Sequence, residues 1–278
     1  MSHHSRSISL PCRSHPLISH LRDKITDLHS WSSASSRTSA WLCDGLSRLR
    51  DLHDCLDDIL QLPQTQESLR RQPHSVEKLL EDFLRFVDVY GIFQTSILAL
   101  KEEQSAAQVA LRKRDESKAA LYLKARKRMA KEMGKLVSAV RCIELLGSPV
   151  VSVGDAELSD VIGEVVEVTV TVSVALFNGI AVSLGPKKSS TWSYIGMRLT
   201  KKAKKVKSVV SEEGIKELEE TGTDCLVGLR KKNEEEIGKA SKKLQALETC
   251  VGGIESGGER IFRGLINARV SLLNSLTQ

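Results

Sequence analysis

Prolines constrain this chain more than any other residue. All six stand at positions 11, 16, 63, 73, 149 and 186, so none falls within 74–148 and none follows 186. Proline removes a helix hydrogen bond and clashes with the preceding turn. The two proline-free stretches are therefore where long helices can run. Gly147-Ser148-Pro149 and Gly185-Pro186 each set glycine ahead of proline, the punctuation of a helix end.

Apolar spacing fills that frame. Leu42, Leu46, Leu49, Leu52, Leu56, Ile59 and Leu60 recur at helical steps between Ser39 and Leu62. A second helix is expected over 75–112 with Ser75 as its N-cap, followed through Leu79, Leu80, Phe83, Leu84, Val87, Ile97 and Leu98 toward Leu111. Asp115 can open the next helix, with Leu121, Met129, Leu136, Val140, Ile143 and Leu146 on its apolar side. The turn between the two is short, so they should form an antiparallel hairpin.

The stretch from Val161 to Leu184 is ambiguous in isolation. Val166, Val168, Val170, Val172 and Val174 alternate as a strand would. Yet the run is too long for an ordinary strand, and Asp155 with Glu157 resembles a helix start. A buried helix is the reading chosen. The alternative is a membrane span, but the uncharged run Val168–Leu184 has 17 residues against about 20 needed. Ser211-Glu212-Glu213 suits another helix start, and Leu218, Cys225, Leu229 and Ile237 extend a stripe from it. The last stripe runs from Leu244 to Leu272 and holds Gly252, Gly253, Gly257 and Gly258. Each glycine costs up to about 1 kcal/mol relative to alanine inside a helix, so fraying or kinking is expected unless that face is well packed.

The fold expected is thus all-α: an elongated bundle of six to eight helices, several long and antiparallel. Residues 1–15 form a basic, Ser-rich arm, read as disordered, and 16–278 a single helical domain. No acid precedes Asp23 and no apolar core of a secretory signal is present. The location expected is cytoplasmic, with membrane association, organelle targeting and nuclear import left open. The six cysteines have no C-x-x-C spacing and sit mostly among apolar residues, as reduced thiols do.

Reactive patterns are sparse. His53 and Asp57 lie four apart on one helix, but no second cluster completes a metal site. The paired glycines lack the G-K-[ST] ending of a phosphate loop, and no nucleophile or zinc-protease motif occurs. No catalytic residue, metal or cofactor is expected, and no enzyme. Two basic clusters remain. One follows Arg112-Lys113-Arg114 and includes Lys124, Arg126, Lys127, Arg128, Lys131 and Lys135; the other is Lys201, Lys202, Lys204, Lys205 and Lys207. Arg126, Lys127, Arg128, Lys131, Lys201, Lys202, Lys204 and Lys205 are the candidate basic surface, fitting an anionic membrane or an acidic partner helix. Nucleic acid is disfavoured because aromatics are only 4 % of the chain. In the arm, Arg6, Ser7, Ser9 and Pro11 read R-S-x-S-x-P, where phosphorylated Ser9 would suit a phosphoserine reader of the 14-3-3 kind. The oligomeric state is not legible here.

Three segments, Arg6–Pro16, Gly45–Gln66 (GLSRLRDLHDCLDDILQLPQTQ) and Arg260–Leu276 (RIFRGLINARVSLLNSL), resemble signatures of the plant BYPASS-like family. The resemblance frames the chain and is loose from about 150 to 240. It implies an all-helical protein with no known catalytic activity, linked to root and shoot development. The paired glycines stand where that family is expected to carry more Leu and Glu.

Overall fold

The computed structural model describes residues 15–34, 36–144, 156–185 and 214–277. These are helical, and no strand occurs among them. Six helices have 17 residues or more: α1 (Pro16–Ser32), α2 (Ser39–Leu60), α4 (Pro73–Lys113), α5 (Glu116–Glu144), α6 (Ala156–Leu184) and α9 (Glu234–Thr277). Three are short: α3 (Pro63–Arg70), α7 (Lys216–Glu220) and α8 (Thr223–Leu226), with a 3-10 turn over Leu229–Lys231. At 1.5 Å per residue the 41 residues of α4 span roughly 61 Å and the 44 of α9 roughly 66 Å.

The helices close a ring. α4 lies between α9 and α5, α5 against α6, α6 against α1, and α2 returns to α9. Most of each apolar stripe turns inward and one continuous core results, although Leu84 and Leu98 of α4 and Leu121 of α5, expected on those stripes, are exposed. α6 is the most enclosed. Val165, Val168, Thr169, Val172, Ser173, Leu176 and Phe177 are all fully buried, so both faces of the valine run find neighbours. Burial around most of its circumference, leaving a strip through Gly163, Glu167, Thr171 and Val174 exposed or half-buried, explains why a β-branched run folds as a helix here. The uncharged run that resembled a span is thereby occupied by protein contacts.

Local signals place most boundaries. Asp115 accepts from the Ser117 and Lys118 amides at 3.0 and 3.2 Å and caps α5 as expected. Ser75 does not cap α4: that helix starts at Pro73, and the Gln72 carbonyl accepts from the Ser75 and Val76 amides. Proline is preset for the first helical position and needs no N–H partner there, so it outcompetes a serine two residues on. The stripe from Leu218 to Ile237 is not one helix. Gly228 adopts φ +68, and Asn233 with Glu236 forms a reciprocal cap that restarts the chain as α9. Leu218, Cys225 and Leu229 are buried nonetheless.

α9 runs unbroken through its glycines because they are contact points. A methyl group on Gly257 would stand 2.9 Å from Leu46 Cβ of α2. On Gly258 it would stand 2.8 Å from Phe93 Cε1 of α4, and on Gly253 2.7 Å from Cys43 Sγ. The missing side chains let α9 sink between α2 and α4. Contact there offsets the propensity cost, so the expected fraying does not occur. At the other edge, the Trp31 and Trp41 rings stack 4.3 Å apart, and each indole N–H donates to the other's carbonyl at 3.0 and 3.3 Å. This reciprocal pair closes the α1–α2 turn, and Gly45 makes room for the Trp31 ring.

Candidate functional site

Three arrangements of polar side chains stand out. The first surrounds His53, which projects from α2 into the core and is fully buried. Its Nε2 lies 3.3 Å from Thr169 Oγ1, which itself donates to the Val165 carbonyl at 2.7 Å. The Thr169 proton is thus committed, and the imidazole donates from Nε2. His53 Nδ1 has no partner. Burial pushes the imidazole down to about 4 from its usual 6.5. Asp57, one turn on, accepts from Ser271 of α9 at 2.7 Å and from Gln61. Among the described residues no three metal-ligating side chains converge. The His53–Asp57 pair thus divides its roles between core and helix contact.

A neutral buried histidine has a measurable consequence. Its folded pKa lies below its unfolded value, so the stabilisation is present above about pH 6.5 and is lost as pH falls toward 4. At 1.36 kcal/mol per unit, this amounts to about 3 kcal/mol. Urea midpoints measured across that window should fall with acid in the wild type. The decline should flatten in His53→Gln; an identical slope would show that other groups govern acid stability.

The second arrangement is Tyr90 of α4, whose hydroxyl meets Ser173 of α6 at 2.9 Å within a cluster formed with Phe93 and Phe177. Burial raises the phenol well above its usual range, and the Ser173 bond only partly opposes this. Among the thiols, burial pushes Cys250 up to about 12 and raises Cys43 and Cys55. The five cysteines in the described residues are free; Cys55, Cys225 and Cys250 are buried, Cys43 is half-buried and Cys142 is exposed.

The third arrangement corrects a sequence expectation. Arg126 is not part of a basic surface: it is 4 % exposed. Its Nη1 donates to Tyr122 Oη at 3.3 Å and Thr221 Oγ1 at 3.0 Å. Its Nη2 donates to the carbonyls of Ser183 at 3.0 Å and Leu218 at 2.8 Å. No carboxylate pairs with it among the described residues. The guanidinium instead sits at the C-terminal ends of α6 and α7, where helix carbonyls carry partial negative charge. Ser183 Oγ also accepts from the Ile215 amide. Glu217 of α7 binds the Ser39 amide at 2.8 Å and its hydroxyl at 2.7 Å, at the start of α2. Burial alone would raise the Glu217 carboxyl, but the Ser39 donors prevail and hold it low. α7 is thus tied to α5, α6 and α2 at once.

The other expected basic residues divide in two. Lys127, Arg128 and Lys131 are exposed on α5. Lys201, Lys202, Lys204 and Lys205 lie outside the described residues, as do Arg6, Ser7, Ser9 and Pro11 of the arm and the helix start expected at 211–213.

Sequence reasoning missed a surface groove along the α4–α5 seam. One part, of about 620 Å³, is floored by Val87, Ile92, Leu100 and Met129. A second, of about 550 Å³, shares Asp88 and Ile92 with it and continues past Leu136 to Cys142. Its sequence trace is a run of small residues on α4, including Gly91, Ser96 and Ala99, which lowers the groove floor. Two helices, Pro73–Lys113 and Glu157–Leu184, are long and apolar enough to cross a membrane. In the more apolar window of the second, 56 % of residues are already buried by protein.

These features define an all-helical bundle with a sealed core and an open apolar groove on its flank. The family model for Protein BPS1 matches residues 45–274, and the chain belongs to that family. The match agrees with the BYPASS-like resemblance of its terminal signatures. No curated protein and no solved structure matches the chain.

Proposed function

We propose that this protein is a non-enzymatic regulatory or scaffolding protein of plant root and shoot development, working in the cytoplasm through protein–protein contacts. Family membership supports the developmental part. The observation that carries the contact reading is the open α4–α5 groove, which is long, shallow and apolar, as a helix-binding surface is. Proximity labelling with the full chain in root and shoot tissue tests it. A reproducible set of protein neighbours, absent with an unrelated cytoplasmic bait, is expected. Labelling indistinguishable from that bait would end the reading.

Part of the recruitment is assigned to the arm. Phosphorylated Ser9 in the context Arg6-Ser7-Ile8-Ser9-Leu10-Pro11 offers a charge close to −2 to an arginine-lined reader. A phosphorylated peptide over 6–11 should bind a 14-3-3 protein at least about tenfold more tightly than its Ser9→Ala counterpart, a difference of about 1.4 kcal/mol. Equal binding by isothermal titration would remove the arm from the proposal.

A second reading, a peripheral or single-span membrane protein using the 161–188 segment and the basic clusters, is supported by the apolar helix Glu157–Leu184. Membrane fractions washed with salt and then carbonate separate the cases. Absence from the membrane fraction supports the contact reading; release by salt supports a peripheral protein held by charge, and a carbonate-resistant pellet an integral one.

A further inference from the structure

The groove has one cationic lip. Lys124, Arg128 and Lys131 follow each other at steps of four and three, a row along the outer side of α5. Beside it runs the groove wall of Ala125, Met129, Glu132 and Leu136; Arg128 itself lines the groove, and Lys124 and Lys131 flank it. Of the two carboxylates in the lining, Glu132 is neutralised by Lys135 and Asp88 lies across on α4. No carboxylate among the described residues pairs with Lys124, Arg128 or Lys131. The contrast with other surfaces is direct. Arg48 pairs with Asp44, Arg85 with Glu81, Lys101 with Glu255, and Lys239 with Glu235. Each of those cations has a neighbouring carboxylate, and Lys124, Arg128 and Lys131 do not.

The floor is equally unsatisfied. Ile92 lies in both halves of the groove and is 46 % exposed. From Arg85 to Leu100 the floor follows 15 residue steps of α4, roughly 22 Å, which is about four turns of helix. Apolar floor, one basic lip and this length together specify an occupant.

Resting on the contact reading above, we infer that the α4–α5 groove binds an acidic amphipathic helix of a partner protein, about four turns long. Its apolar face covers Ile92 and Met129, and its acidic flank lies along Lys124, Arg128 and Lys131. Apolar burial supplies affinity, and the charges fix orientation and speed encounter. A lipid surface is the weaker match, because the cations line one edge of a concave channel instead of surrounding an exposed apolar face.

A designed helix tests this with the full-length chain. The probe is an 18-residue fluorescein-labelled peptide with leucines on one face and glutamates on one flank. Its twin carries lysines at the glutamate positions. In fluorescence anisotropy the glutamate peptide should bind at least about tenfold more tightly, and added salt should narrow the gap. Ile92→Glu, at an exposed position outside the core, should weaken it about tenfold or more. The triple variant Lys124→Glu, Arg128→Glu, Lys131→Glu should reverse the preference toward the lysine peptide. Such a reversal requires a folded protein, so loss of folding does not imitate it. Equal binding of both peptides, or no effect of these substitutions, overturns the inference. So does sedimentation with phosphatidylserine vesicles that the triple variant abolishes, if the peptides do not bind. Proximity labelling separates this failure from that of the wider reading. Neighbours that persist with Ile92→Glu leave the contact reading standing and remove the groove; no neighbours at all remove the contact reading itself.

Discussion

Replacing Gly257 and Gly258 together by alanine should destabilise the protein, although alanine is the better helix former at both positions. In an open helix each exchange would gain up to about 1 kcal/mol. Here the new Cβ at Gly257 meets Leu46 Cβ at 2.9 Å, an atom anchored directly to the α2 backbone. At Gly258 it meets Phe93 Cε1 at 2.8 Å, and that ring is held by Tyr90 and Phe177. Gln94 Nε2, 2.6 Å from the Gly258 position, is the end of a flexible chain and can swing aside, but Leu46 Cβ and the Phe93 ring cannot. Relief therefore requires α9 to move away from α2 and α4, the two helices it packs against most extensively. Overpacking of this kind costs about 1–3 kcal/mol per site, which exceeds the propensity gain. The thermal midpoint of the double variant should fall by several degrees, at about 2–4 °C per kcal/mol for a chain near this size. Gly252→Ala provides the opposite sign on the same helix. Nothing lies within 4 Å of its new methyl group, so that variant should melt higher than the wild type. If all three alanines stabilise, the glycines are not what admits α9 to the core.

These glycines also mark where sequence reasoning stops. The boundaries of α2, α4 and α5 were legible because apolar spacing and the Asp115 cap are local signals. Val166–Val174 was legible only by weighing length against alternation, since the deciding factor is that α6 is surrounded by other helices. The benefit of Gly257 depends on Leu46, about 200 positions away, and no local pattern contains that distance. Pro73 was visible as a boundary, but its advantage over Ser75 turned on the geometry of the first helical turn. The groove was the least legible feature. Its floor is lowered by Gly91, Ser96 and Ala99 of α4 where α5 lies alongside, and each helix alone reads as an ordinary face. His53 had a trace, standing in the line Leu49, His53, Leu56 and Leu60, all buried. Arg126 had one too: Tyr122, Met129 and Met133 bracket it at helical steps and are buried with it. Its placement at the head of the run Arg126-Lys127-Arg128 concealed that periodicity. One residue step turns a helix by about 100°, enough to put Arg126 inside and Lys127 outside.

Arg126→Met should cost about 2–5 kcal/mol, while Lys127→Ala beside it changes stability by no more than about 0.5 kcal/mol. Methionine keeps the length and apolar stem of the side chain, so the loss is mainly that of its donors. The Ser183 carbonyl then loses this donor in a dry interior, at about 1–3 kcal/mol, while the Leu218 carbonyl keeps only the Thr221 hydroxyl at 3.1 Å. The Tyr122 and Thr221 hydroxyls lose a partner as well. A term of opposite sign keeps the total from growing further, because the variant no longer buries a charge that lacks a carboxylate. The helix ends that surround the guanidinium recover part of that desolvation in the wild type, which is why the net effect remains a loss. The damage should be local before it is global. α7 is held through Arg126, the Ser183–Ile215 bond and the Glu217–Ser39 cap, and the first of these is removed. Hydrogen exchange should therefore accelerate first at the C-terminal turn of α6 and over 215–226, with α4 and α9 still protected. Arg126→Lys separates charge from geometry. Lysine restores the cation but not the fork that reaches four acceptors, so it should recover only part of the loss. Full recovery by lysine would mean that charge alone holds α7 in place, and a neutral Arg126→Met would mean that the clamp does not hold it at all.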